Sequence, residues 1–146
     1  MKRFLSITLM SLLVLVMACS KKQEAEPAPV FEGTWKQTHQ RTLIQDDKGL
    51  VLSDKDDTPA TRQVYTFSGD TCTLTLDPAP TYEFRYPFTY TYSGDVLKLV
   101  PAFPGGTGYD KYQVLEFTKT ALTLKTNTMI LQNVGTVTYT FYFARQ

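Results

Sequence analysis

Three segments of the chain repeat one pattern at a spacing of 25 residues: YTFSGDTCTL from Tyr65, YTYSGDVLKL from Tyr90 and LEFTKTALTL from Leu115. In each segment, apolar and polar residues alternate on both sides of a short polar turn. Two of the turns are Ser-Gly-Asp, and glycine can adopt the positive φ that a tight hairpin turn requires. Each segment therefore predicts a β-hairpin. The equal spacing predicts consecutive hairpins that lie side by side in an antiparallel meander.

The same alternation with period two continues over most of the chain after Phe31. It is clearest in TYEFRYPFTYTY, where the aromatic residues from Tyr82 to Tyr92 share one face. An even number of strands in up-and-down order can close on itself and leave no free edge. We therefore predict an all-β domain, an eight-stranded antiparallel up-and-down (meander) β-barrel, with a β-sandwich as the alternative. The predicted strands are residues 34–44, 61–68, 71–77, 81–93, 95–101, 109–118, 120–127 and 135–145.

The connections between these strands differ at the two ends of the predicted barrel. Three tight turns close one end, whereas the other end has three long connections, QDDKGLVLSDKDDTPA, PAFPGGTGYD and NTMILQNVG. Long loops on a rigid scaffold are the usual location of binding residues. The loop-lined, open end is therefore the predicted functional end.

Side chains at alternate positions of the strands should point into the barrel. They form a set of candidate ligand-lining residues rich in aromatic rings and amides: Gln37, His39, Gln63, Tyr65, Leu76, Phe84, Tyr86, Leu99, Gln113, Leu124 and Tyr139. Such a set is typical of a small-molecule pocket. It is equally typical of an eight-stranded barrel whose interior is filled by its own side chains.

The amino-terminal residues predict export and lipidation. The segment MKRFLSITLMSLLVLVMACS begins with two basic residues and continues as an apolar run too short to remain in a bilayer, which indicates a signal peptide over residues 1–18. Its end, Val-Met-Ala-Cys, resembles the lipobox of bacterial lipoproteins, and the resemblance implies lipidation of Cys19. Residues 19–30 are polar and proline-bearing, so we predict a lipidated cysteine followed by a flexible tether, with the barrel domain at 31–146.

The lysines and acidic residues just after Cys19 are similar to the surface-export signals of Bacteroidetes lipoproteins. This resemblance implies a lipid anchor in the outer membrane, with the domain facing the periplasm or the cell surface.

The motif Gly33-x-Trp35 on the first strand resembles the lipocalin superfamily, and most closely the small lipocalin-like domains of Bacteroidetes lipoproteins. In that superfamily the tryptophan lies at the closed end of the barrel, under an arginine of the last strand. The resemblance thus implies a structural closed-end pair of Trp35 and Arg145. A stacked guanidinium of this kind contributes about 0.5 to 2 kcal/mol.

The titratable residues give little indication of catalysis. His39 is the one histidine of the chain, and Cys72 falls on the predicted core face, so we expect neither a catalytic residue nor a metal site nor a cofactor. The aspartates of the first long connection indicate a solvated acidic loop, with calcium binding as the alternative. A formal net charge of +1 gives no electrostatic reason to expect nucleic-acid binding.

The sequence leaves two functions open. The first is a lipid-anchored, monomeric lipocalin-like binding protein that holds a small apolar or amphipathic ligand at the open end. The alternative is an interaction or inhibitor protein with a filled core, whose mouth loops contact a protein or a glycan. The glycine-rich FPGGTGYDKY would form one of these loops, and it is similar to the inhibitory loop of membrane-bound lysozyme inhibitors.

Overall fold

The computed structural model describes residues 28, 30–82 and 84–146. The predicted signal peptide, 1–18, and Cys19 lie outside these residues, as does the predicted tether except for Ala28 and Val30. Within the described part of the chain there is no helix that is long and apolar enough to cross a membrane.

The described residues form ten strands that belong to one antiparallel sheet. Eight of them, β1, β3 to β8 and β10, follow one another around a barrel that closes where β1 pairs with β10. The predicted eight-stranded antiparallel barrel is therefore confirmed. The strands are β1 (Gly33–Gln45), β2 (Val51–Asp57), β3 (Arg62–Ser68), β4 (Thr71–Asp77), β5 (Tyr86–Ser93), β6 (Val96–Pro101), β7 (Asp110–Phe117), β8 (Ala121–Thr126), β9 (Met129–Leu131) and β10 (Gly135–Arg145).

Strands β2 and β9 correct the prediction that the first and last long connections are loops. Strand β2 pairs with the second half of β1, and β9 pairs with the beginning of β10. Together β2, β1, β10 and β9 form a four-stranded extension of the sheet at the open end. The outer edge of β2 is rich in aspartate and lysine, which is a common way to protect an edge strand from pairing with other chains.

Strand β5 begins at Tyr86, so the predicted start at residue 81 is wrong. The ladder with β4 ends at the pair Leu74 and Tyr86, and Pro87 cannot donate a backbone hydrogen bond to extend it. The side chain of Phe84 packs instead against the ring of Tyr86, with the ring centroids 4.9 Å apart. The aromatic alternation thus continues beyond the strand, where its rings pack against each other at the surface instead of lining a longer strand.

The core lies inside the barrel and is built from leucine and aromatic side chains. Leu97, Leu99, Leu122 and Leu124 are fully buried, on β6 and β8, the two strands that flank β7. They come from the return strands of the repeated hairpins, at the positions that alternate inward. The packed interior follows directly from the repeat seen in the sequence.

Phe31 closes the end of the barrel where the tight turns lie. It precedes β1, is 6% exposed, and stacks on Phe117 with ring centroids 4.2 Å apart. It also contacts the rings of Phe67, Tyr90 and Tyr92. This ring cluster fills the closed end with side chains from four different parts of the chain.

Two β-bulges in the ladders of the barrel change which residues face inward. One lies in β1 between Gln37 and His39, and the other lies in β7 between Val114 and Glu116. An extra residue in a strand reverses the inward and outward alternation beyond it, because successive side chains point to opposite faces. Leu115, which the sequence repeat aligns with the buried Tyr65, is accordingly 51% exposed.

Candidate functional site

Trp35 and Arg145 lie opposite each other in the β1–β10 ladder, at the closed end. The guanidinium carbon of Arg145 is 5.0 Å from the centroid of the Trp35 ring, so the structure contains the contact expected from the sequence. Arg145 Nη2 also donates to the carbonyl oxygens of Val30, at 2.9 Å, and Glu32. The indole N–H of Trp35 donates to the carbonyl of Phe31 at 2.7 Å. These contacts hold the entering chain against the end of β10.

Four of the candidate ligand-lining residues are buried within the barrel: Gln37, Tyr65, Leu99 and Leu124. The amide of Gln37 has a structural task, since its Oε1 accepts the backbone N–H of Gln63 at 3.0 Å. This bond lies where β1 stops pairing with β3 and begins to pair with β2, so it replaces a ladder hydrogen bond. Among the described residues, no buried side-chain nitrogen or oxygen lacks a hydrogen-bond partner. The buried polar groups are therefore satisfied without a ligand.

The buried ionisable side chains are held in their neutral forms. Burial raises the pKa of Tyr65 well above its usual value, and the adjacent Tyr112 raises it further. Burial, followed by the charge of Asp110, raises the pKa of Tyr112. Burial also raises the pKa of Cys72 to about 12, so this thiol is neutral and unreactive at ordinary pH.

His39 and Gln113 do not line the interior, which corrects the sequence prediction. His39 lies on the outer wall, stacked on Tyr142 with ring centroids 3.9 Å apart and an interplanar angle of 10°. Gln113 is exposed, and its amide nitrogen lies 3.4 Å from a carboxylate oxygen of Asp95. Each residue follows or adjoins a bulge, and simple alternation therefore assigns it to the wrong face.

The remaining candidates are dispersed around the open half of the barrel. Leu76 and Phe84 line a depression of about 310 Å³ beside the β4–β5 connection. Tyr86 is 43% exposed and packs edge-on against Phe103. Tyr139 and Gln63 are partly buried, and Tyr139 packs against the core. The structure therefore does not bring the predicted lining residues together into one cavity.

An open depression of about 350 Å³, which we call the mouth cavity, lies where β7 begins and β8 ends. Its wall is contributed by these two strands and by the start of β9: Tyr109, Asp110, Lys111, Tyr112, Thr126, Asn127 and Met129. None of these residues is in the predicted set. The alternation of Tyr112 and Val114 would predict that Tyr112 faces inward, but only if a bulge is assumed after Val114.

The mouth cavity combines apolar and polar groups. The Tyr109 ring is 57% exposed and has Lys98 Nζ 4.2 Å from its centroid, while the Tyr112 ring packs against the core. Asp110 adds a carboxylate, and Asn127 and Thr126 add neutral hydrogen-bonding groups. Within the described residues there is no cluster of three or more His, Cys, Asp or Glu side chains that could hold a metal ion. The arrangement suits an amphipathic organic molecule.

The overall fold has a counterpart among solved structures. A lipocalin-like protein from Bacteroides uniformis superposes with a TM-score of 0.50 and 12% identity, over 80% of this chain and 98% of that one. The fold is lipocalin-like. An uncharacterised protein from Bacteroides eggerthii superposes with a TM-score of 0.47 and 15% identity, over 80% of this chain and all of that one. No protein-family model matches the chain, and no curated protein matches it.

Proposed function

We propose that this chain is a lipid-anchored binding protein that holds a small amphipathic ligand at the open end of its lipocalin-like barrel. The observation that supports this proposal is the mouth cavity, which lies at the loop-lined end. Its volume of about 350 Å³ falls within the range of about 300 to 1,000 Å³ that is usual for ligand sites. Because the interior below it is filled, the ligand would rest on the barrel core rather than enter a deep calyx.

The residues of the mouth divide between two tasks in this proposal. The rings of Tyr109 and Tyr112, with Met129, would cover the apolar part of the ligand. Asp110 and Asn127 would orient its polar part. The site would bind its ligand without catalysis, as a monomer.

Native mass spectrometry of the protein purified from its own host tests this proposal. We expect a retained small molecule, and we expect Tyr109→Ala to lose it because this exposed ring forms one wall of the cavity. Tyr82→Ala is the matched control, since Tyr82 is 65% exposed and lies outside the cavity. A native preparation without any bound molecule, or equal retention in both variants, would contradict the proposal.

The lipid anchor is part of the same proposal and has its own test. Lipidation of Cys19 in the outer membrane would tether the domain by its closed end, because the chain enters the barrel at Phe31. The mouth would then face away from the membrane. Intact-mass measurement should show acyl chains on the protein and none on a Cys19→Ser variant. An unmodified Cys19 in membrane fractions would contradict this part of the proposal.

The packed interior favours a second candidate, an interaction or inhibitor protein that contacts a protein or a glycan through its open end. Trp35, Phe67 and Leu97 are fully buried, and the buried Gln37 is satisfied by the protein itself. A barrel filled in this way gains its stability without a ligand. Absence of a retained small molecule would favour this candidate over the first.

A further inference from the structure

Two hairpin turns at the open end pack against each other and form a single feature, which we call the tip: residues 46–52 and 130–135. Gly135 has a φ of +128°, and a Cβ at this position would overlap the Gln45 carbonyl oxygen and approach Asp46 Cα to 2.7 Å. The first turn is held by Asp46, whose Oδ1 accepts the backbone N–H groups of Lys48 and Leu50. The second turn is closed by a bond from Val134 N to Leu131 O, at 3.1 Å. The tip is thus a preformed surface.

The tip exposes apolar side chains that a turn does not need. Ile130 is 84% exposed, and a depression of about 550 Å³ runs along residues 130–136 with Asp47 at its rim. Four other apolar residues of the tip are about half exposed or more: Leu50, Val51, Leu52 and Val134. By contrast, the turns at the closed end are Ser-Gly-Asp, Ser-Gly-Asp and Thr-Lys-Thr. A contiguous exposed apolar patch of this kind on a small domain indicates an interaction surface.

The charges around the tip select among the possible occupants. Residues 46–57 contain five aspartates and two lysines, a formal charge of −3, and Arg41 compensates one aspartate by pairing with Asp54. Two tips brought together would place these negative charges against each other, so a second copy of the chain is disfavoured. An anionic membrane surface is disfavoured for the same reason. The complementary surface is one that presents apolar side chains next to positive charges.

We propose that the tip docks a basic amphipathic segment of a partner protein, with its apolar side chains in the depression along Ile130 and its cations facing Asp47 and the acidic edge of β2. This site is separate from the mouth cavity and does not depend on the small-ligand proposal. Apolar contacts in the depression provide the anchor, and the acidic surroundings provide orientation and discrimination against acidic partners.

The site is tested by titrating the full chain with a synthetic amphipathic helix built only of leucine and lysine. The chemical shifts of the backbone amides, measured by NMR, report where the helix binds. We expect shifts confined to the tip and to β2. The Ile130→Ser, Val134→Ser double variant should weaken binding about tenfold or more, because it removes the apolar anchor. Leu115→Ser is the matched control, since Leu115 is comparably exposed but lies on the outer wall of β7. Asp47→Asn should weaken binding about threefold at low salt and flatten its salt dependence.

Four results would overturn the inference. The same helix with glutamate in place of lysine could bind equally well, which would exclude charge selection. Tyr109→Ala could weaken peptide binding as much as the double variant, which would place the peptide in the mouth. Phosphatidylglycerol vesicles could bind through the tip, or the chain could self-associate in a way that the double variant abolishes. The last two results would assign the tip to a membrane or to a second copy.

Discussion

Arg145 makes contacts at the closed end that a shorter or uncharged side chain could not make together. Its guanidinium lies over the Trp35 ring and donates to the carbonyls of Val30 and Glu32. Those carbonyls belong to the segment that enters the barrel before β1. The stability of the closed end therefore depends on one planar cation that can stack and donate several hydrogen bonds at once.

The variant Arg145→Ala should lower the free energy of unfolding by about 2 kcal/mol, from the lost stacking and the lost charge-assisted hydrogen bonds. Arg145→Lys should fall between this variant and the wild type, because a lysine keeps the charge without the planar fork. Chemical denaturation measures all three proteins. An alanine variant as stable as the wild type would show that the stacked cation contributes nothing.

Individual residues show where sequence reasoning succeeds and fails. The contact of Trp35 with Arg145 is predictable because the resemblance to lipocalins implies it and no bulge separates the two ladder partners from the closed end. Regular alternation predicts the wrong face for His39 and Gln113, because no sequence signal marks the bulges beside them. Alternation does not identify Phe31 as a core residue, because Phe31 lies outside any strand and its burial depends on four rings contributed by other elements.

At the scale of elements, the barrel strands were predictable and the extension was not. The eight barrel strands bury one face, and burial on one face produces period-two alternation in the sequence. Strand β2, VLSDKDD, buries neither face, so its composition matches that of a loop. Strand β9 has only three residues and derives its conformation from pairing with β10. Alternation does not predict the mouth cavity, because the residues of β7 that line it precede the bulge. Their inward and outward order is therefore opposite to the order that the end of the strand predicts.

The packing of the two hairpins at the tip predicts a large effect of one methyl group. Gly135→Ala should cost about 3 kcal/mol or more, because the new Cβ would overlap the Gln45 carbonyl in a backbone region that alanine disfavours. Gly49→Ala is the matched control, with a φ of +84° and no atom within 4 Å of the added Cβ. It should cost only about 1 kcal/mol.

Thermal or chemical unfolding of the two glycine variants provides the measurement. Amide hydrogen exchange of β2 and β9 should also accelerate in Gly135→Ala if the two hairpins separate. Equal losses in the two variants would show that backbone conformation alone accounts for the cost, and that the hairpins are not held together at Gly135.

At the scale of the whole molecule, the two poles have different chemistry. The closed pole has polar turns, a ring cluster around Phe31 and the entry of the chain, whereas the open pole has the mouth cavity and the apolar tip. The interior between them contains ionisable groups without charge, among them Cys72, Tyr65 and Tyr112. Their neutrality is a condition of the fold, since a charge in this core would be unpaired and costly.

The stability of the molecule should therefore decline at alkaline pH. The pKa of Cys72 rises from 9.0 to about 12 on folding, so above about pH 9 the unfolded chain releases a proton that the folded chain retains. The free energy of unfolding should fall by about 1.4 kcal/mol per pH unit for this group between about pH 9 and pH 12, and the raised pKa of Tyr65 adds to the fall above about pH 10.

Urea unfolding over this pH range should show a shallower decline for Cys72→Ala than for the wild type. In the wild type, reaction of Cys72 with a thiol reagent should follow unfolding. A thiol that reacts in the folded protein at about pH 8, or an identical decline in both proteins, would show that Cys72 is not held neutral by the core.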